Sequence, residues 1–90
     1  MEQTDSVRDQ IRRFISESAQ RKGLSQISDD ESLSENGVMD SLMIFRLVSF
    51  LEDTFSIKIA DEEITNDNFQ SVVGIESFVT AKLGQKARTA

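Results

Sequence analysis

The stretch Gly37-Val38-Met39-Asp40-Ser41-Leu42 holds the residues whose types and spacing could do chemistry. Ser41 offers a hydroxyl at the start of an apolar, periodic run, and Asp40 just before it is a strong helix N-cap residue. A hydroxyl so placed lies on the first turn of a helix, where free backbone N–H groups and the positive end of the dipole favour a phosphate. A phosphodiester on Ser41 would sit there without strain. Other chemistry is excluded by composition: with no His and no Cys there is no Ser-His-Asp triad, thiolate nucleophile, zinc finger, HExxH site or disulfide. Taken alone, Asp-Ser ahead of an apolar run is also an ordinary helix cap, so the pattern around it must decide.

The elements that must position Ser41 are helical. No Pro and only four Gly leave almost nothing to interrupt a helix. Val7, Ile11, Phe14 and Ile15 form one stripe and predict a first helix over about residues 5–19, capped by Thr4 or Asp5. A polar stretch from Gln20 to Asp40 follows, with Leu24, Ile27, Leu33 and Val38 expected to pin it to the core. A loop of that length is uncommon in a small domain and is usually functional or mobile. The second helix is expected over Ser41–Phe55 with Asp40 as N-cap, its core arc being Ile44, Leu47, Val48, Leu51 and Phe55. Leu42, Met43, Phe45 and Phe50 fall off that arc, so this helix is either wrapped by its neighbours or presents an apolar patch. Asp61-Glu62-Glu63 opens a short third helix expected from Ala60 to Thr65. Ser71 caps the last helix, whose core stripe is Val72, Ile75, Phe78, Val79 and Leu83 and whose end is expected at Gly84. The fold class is therefore all-α, a four-helix bundle with three long helices, one short one and a long first loop. Residues 1–90 read as one domain with a core over about 5–84 and a disordered tail over 85–90.

Ninety residues support one modest core and leave no room for a deep enzyme pocket. The net charge is −6, and it is uneven: residues 26–70 carry 11 acidic and 2 basic side chains, whereas both ends are slightly positive. That balance argues against nucleic acid and anionic membranes as partners and for basic protein surfaces. No signal peptide or long apolar run is present, so a soluble, cytoplasmic, monomeric protein is expected. An EF-hand in the acidic loop fails: with Gly37 at its sixth position, the first ligand would be Ser32 and the twelfth Met43. No metal site is expected.

Leu33, Gly37, Asp40-Ser41-Leu42, the helix ending Leu51-Glu52-Asp53-Thr54-Phe55, then Ile59, Asp61-Glu62-Glu63-Ile64 and Phe69-Gln70-Ser71-Val72 stand in an order and at separations that resemble the acyl carrier protein family. The resemblance covers residues 5–83. It implies that Ser41 is esterified with 4'-phosphopantetheine from coenzyme A by a phosphopantetheinyl transferase, and that an acyl or aminoacyl cargo rides as a thioester on the arm. Asp40 carries over as the residue before the modified serine, and Leu42 as an apolar contact for the transferase and later partners. The protein itself is implied to be a non-catalytic carrier, loaded by an acyl- or aminoacyl-activating ligase and unloaded by a synthase or transferase. Met43 and Arg46 stand where fatty-acid carriers commonly have acidic residues, and Ala60 where a Pro is frequent. The departures at Met43 and Arg46 point to a specialised lipid, polyketide or nonribosomal peptide pathway rather than housekeeping fatty-acid synthesis.

The expected partner face comprises Met43, Phe45, Arg46, Glu52, Asp53, Asp61, Glu62 and Glu63. Phe14, Phe45, Phe55, Phe69 and Phe78 are candidates for the interior, where large rings would leave few voids and favour a short cargo. A reading of a different class is an unmodified helical adaptor that uses Leu42, Met43, Phe45 and Phe50.

Overall fold

The computed structural model describes residues 6–24 and 26–89, with side chains through residue 85. Among these the chain forms α1 (Val7–Arg21), α2 (Ser41–Phe55), a 3-10 turn (Asp61–Glu63), α3 (Asn66–Phe69) and α4 (Val72–Thr89), with no strand. The all-α bundle expected from periodicity is therefore present, with its short third element divided in two.

Helix α1 starts behind Ser6, whose side chain accepts from the Asp9 N–H at 3.1 Å. The caps expected at Thr4 and Asp5 lie outside the described residues, and Ser6 does that work. The helix continues to Arg21, and Gly23 at φ +85° turns the chain away as the Leu24 N–H reaches back to the Ala19 carbonyl at 2.9 Å. Glycine takes that left-handed conformation without a Cβ clash.

The long loop is folded against the bundle. Leu33 and Val38 are fully buried, and Leu24 and Ile27 pack partly buried beside them, as expected. Backbone bonds fasten it: the Leu33 N–H donates to the Gln70 carbonyl at 2.7 Å and the Val73 N–H to the Asp29 carbonyl at 3.0 Å. The Asp29 side chain accepts from Arg12 at 2.9 Å and lies 3.6 Å from Arg8, which itself pairs with Glu76 at 2.9 Å. The loop is thus tied to α1 and to the start of α4, which leaves its last residues, 37–40, to enter α2 from a held position.

On α2 the buried stripe is Met43, Leu47 and Leu51, with Ile44, Val48, Phe50 and Phe55 packed partly buried around it. The helix is rotated from the expected arc toward Met43 and Phe50, because Phe14 of α1 stacks on Phe50 with ring centroids 4.5 Å apart and draws that flank inward. Met43 is consequently buried at 4% exposure, not part of an exposed patch. Phe45, which the sequence offered both as an interior candidate and as part of the partner face, is 72% exposed and so does not belong to the interior.

The expected helix from Ala60 to Thr65 is a single 3-10 turn, and the chain then starts α3 at Asn66 with Thr65 as cap. The reason is local: the Ala60 N–H donates to Glu63 Oε1 at 2.9 Å and the Ile64 N–H to the Asp61 carbonyl at 3.1 Å, which closes the turn early. Helix α4 is capped by Ser71, whose Oγ accepts from the Gly74 N–H at 3.0 Å. Its buried stripe of Val72, Ile75 and Val79, with Phe78 and Leu83 partly buried, matches the expectation. It does not stop at Gly84: nothing lies within 4 Å of a Cβ placed there, and the helix runs to Thr89. Residues 85–89 of the expected disordered tail are helical, and Ala90 lies outside the described residues.

Candidate functional site

Asp40 is the N-cap of α2, as expected, with extended backbone and Oδ1 accepting from the Met43 N–H at 2.8 Å. The Ile44 N–H donates to the Asp40 carbonyl at 2.9 Å. Helix geometry leaves the N–H groups of Ser41 and Leu42 with no intrahelical acceptor, so they and the dipole form a weakly positive end around the Ser41 hydroxyl. Ser41 and Leu42 are both exposed, Leu42 at 60%.

Lys22, which the sequence reading did not single out, organises the approach to this end. Its ammonium donates to the Gly37 carbonyl at 2.8 Å, to the Val38 carbonyl at 3.3 Å and to Asp40 Oδ2. Three donors meet three acceptors, the full capacity of a lysine. That bond from Lys22, with the Met43 N–H behind it, holds the Asp40 carboxyl below the usual carboxylate range. The only sequence signal for it is a cation next to a glycine at the end of the first helix, a position that also favours the helix dipole.

Gly37 turns the loop toward Lys22 at φ +86°, a conformation that strains any residue with a Cβ. Asn36 sets the next step, its Oδ1 accepting from the Val38 N–H at 3.0 Å while its Nδ2 donates to Glu31 Oε2 at 2.7 Å. Gly37, Val38, Asp40 and Ser41 are therefore delivered as one braced unit. Below it, on the other side of α2, a cleft of about 150 Å³ lies among Met39, Ile44, Ile64 and Phe69.

Comparison with known proteins places this arrangement. A family model described as the phosphopantetheine attachment site matches residues 9–79, most of the chain. The chain belongs to the acyl carrier protein family. The crystal structure of the acyl carrier protein of Thermotoga maritima is similar at 27% identity and a TM-score of 0.63, with 92% of this chain and 98% of that one covered. No curated protein sequence matches.

Carriers of this family hold 4'-phosphopantetheine covalently, so that arm is the cofactor of this domain. The residues present fit it: an exposed hydroxyl on the first turn of α2, a helix end that favours a phosphate, and an adjacent Asp40 carboxylate whose charge Lys22 offsets. The family is generally non-catalytic and interacts with phosphopantetheinyl transferases and synthase enzymes. Among the described residues no helix is long and apolar enough to cross a membrane, and no group of acidic side chains is placed to hold a metal ion.

The residues expected to form the carrier's partner face divide by their surroundings. Phe45, Arg46, Asp53, Asp61 and Glu62 are exposed. Met43 is turned into the core, which corrects its place on that face. The Glu52 carboxylate accepts from the Ile59 N–H at 2.9 Å and so braces the segment after α2. Glu63 accepts from the Ala60 N–H and from Lys82 of α4, both at 2.9 Å, and these two bonds hold its carboxyl below the usual range.

Proposed function

We propose that Ser41 carries the 4'-phosphopantetheine arm and that the protein presents a small acyl or aminoacyl group as a thioester to partner enzymes. The observation that carries this reading is Ser41 itself, an exposed hydroxyl on the first turn of α2 behind the Asp40 cap, inside the matched attachment-site family. When attached, the arm supplies the thiol that the sequence lacks. In the transfer the Ser41 Oγ–P bond forms as the P–O bond to the departing adenosine bisphosphate of coenzyme A breaks, and the hydroxyl proton passes to a base of the transferase. This chain contributes position: Asp40 fixes the first turn, and Lys22 holds Asp40 and the two preceding carbonyls.

The size of the clefts favours a short cargo, in a specialised lipid, polyketide or nonribosomal peptide pathway, over housekeeping fatty-acid synthesis. A cavity of about 150 Å³ takes a group the size of benzene, and the cleft beside Ile44 and Phe69 has about that volume. The stacked pair Phe14–Phe50 and the tilted pair Phe69–Phe78, 5.4 Å apart, fill interior space with rings, and the cleft of about 210 Å³ beside Phe14 and Phe50 is bordered by the polar residues Gln10, Arg13, Glu17 and Thr54. An activating ligase is the matching loading enzyme for such a cargo.

Intact mass of the chain after incubation with coenzyme A and a broad-specificity transferase tests the attachment. A gain of one phosphopantetheinyl group that disappears in Ser41→Ala, with unchanged helical signal, is expected. An adduct on the Ala variant overturns the assignment, and a native chain that accepts no arm from any transferase favours the unmodified adaptor, which the exposed Leu42 and Phe45 would serve.

A further inference from the structure

We propose that the surface beside Ser41, formed by Arg21, Leu42, Phe45 and Arg46, docks a partner protein whose contact patch is apolar and rimmed by acidic side chains. The proposal rests on the carrier reading and adds the chemistry of the partner. An open groove runs between the end of α1 and the first turns of α2, lined by Arg21, Lys22, Asp40, Leu42, Met43 and Arg46 with Ser18 at its base, and its one carboxylate, Asp40, is paired with Lys22. Lys22 is committed to Asp40 and the two loop carbonyls. Arg21 and Arg46 are exposed, and among the described residues neither has an ion-pair partner. They lie beside two large apolar side chains that stand exposed, Leu42 at 60% and Phe45 at 72%.

The charge along α2 is polarised. From Ser41 to Leu51 the helix carries no carboxylate and one guanidinium, while the exposed acids Asp53, Asp61 and Glu62 lie at or beyond its far end. At 1.5 Å per residue, Arg46 and Asp53 are separated by about 10 Å along the axis, close to the screening length at physiological salt. Arg21, Leu42 and Arg46 line one groove, so a partner seated over Leu42 meets both guanidinium groups. A uniformly basic patch would bury two guanidinium groups against like charge, a costly arrangement. Acidic side chains around an apolar centre satisfy them, and guanidinium pairs well with carboxylate in two-point geometry. The net charge of −6 thus misstates the sign of the surface next to the attachment serine.

The test uses two synthetic amphipathic helical peptides with the same Leu/Ile stripe, one flanked by Glu and one by Lys, titrated into isotopically labelled Ser41→Ala chain. The Glu-flanked peptide is expected to shift the amides of Arg21, Leu42, Phe45 and Arg46, to bind about tenfold more tightly than its Lys counterpart, and to weaken as salt rises. In the Arg21→Glu, Arg46→Glu double variant the preference should reverse. Equal binding of the two peptides, shifts confined to other residues, no binding, or no reversal overturns the proposal. A parallel titration of the arm-bearing chain, its mass verified first, covers the other source of negative charge. Loss of Glu-peptide binding there, with a phosphorus resonance that moves on Arg46→Glu, assigns the groove to the arm's own phosphodiester and also overturns it. Failure of the attachment reading would appear in the mass alone, since the Ser41→Ala titration does not depend on it.

Discussion

Lys22 and Asp40 are 18 residues apart in sequence, and the Lys22 ammonium reaches Asp40 Oδ2 while it also holds the carbonyls of Gly37 and Val38. One side chain at the end of α1 thereby sets the direction from which the chain enters α2, and with it the position of the Ser41 hydroxyl. Lys22→Met keeps the aliphatic stem and removes all three bonds. Its melting temperature should fall by on the order of 5 °C, as expected for a small domain that loses a few partly exposed hydrogen bonds. Arm transfer to Ser41 should slow several-fold with the transferase in excess. Native transfer kinetics in a variant of lowered stability would mean that Lys22 braces the fold without positioning the serine.

Acid should weaken this brace together with two others. Asp40 is held below the ordinary carboxylate range by Lys22 and the Met43 N–H, Glu63 by the Ala60 N–H and Lys82, and Glu31 by Asn36 and the Ser28 N–H. Each binds its proton more weakly folded than unfolded, so stability from these groups is complete above the unfolded value, about pH 4. It is lost as pH falls from there through the depressed folded values. Thermal melts from about pH 6 to about pH 3 should show the decline, and Asp40→Asn should flatten part of it. The groups face solvent, so the effect is modest and weakens in salt.

Met43 and Phe45 should respond oppositely to truncation. Met43 is buried, and Met43→Ala should cost about 2–5 kcal/mol in a urea unfolding measurement. Phe45→Ala should stay within about 0.5 kcal/mol of the native chain while it slows arm transfer or loading, since the ring contacts solvent in the free protein. Equal destabilisation by the two would contradict the rotation of α2 described above.

Gly84 offers a test by sign. Inside a helix, Gly84→Ala should stabilise by up to about 1 kcal/mol, and nothing stands within 4 Å of the added methyl. Were Gly84 the left-handed stop that its neighbours Lys82 and Lys86 suggest, the same change would destabilise. The melting temperature distinguishes the two directly.

The candidate site was legible because its signals are local. Asp40, Ser41 and the periodic run behind them lie within one or two helical turns, and capping plus periodicity place α2 at Ser41–Phe55 with no knowledge of the rest of the chain. The same holds for the Ser71 cap and the Val72, Ile75, Val79 stripe of α4. The order of these pieces along the chain carried the family, and the absence of His and Cys removed whole classes of chemistry.

Tertiary structure decided which apolar residues of α2 face inward, because that helix is apolar on more sides than one bundle face can bury and its periodicity admits more than one rotation. The stacking of Phe14 on Phe50 selected Met43 for the core and left Leu42 and Phe45 outside. It also decided which charges remain available: Glu63 pairs with Lys82 across 19 residues and Lys22 with Asp40 across 18. Pairings at that separation depend on where the loop and helices come to rest, and no short window of sequence records it. The chain by itself determined that a serine follows a helix cap at the start of an apolar helix in a helical carrier. Packing determined the sign and shape of the surface that surrounds it, since local hydrogen bonding fixes a helix end while the burial of competing faces depends on the partners that arrive to cover them.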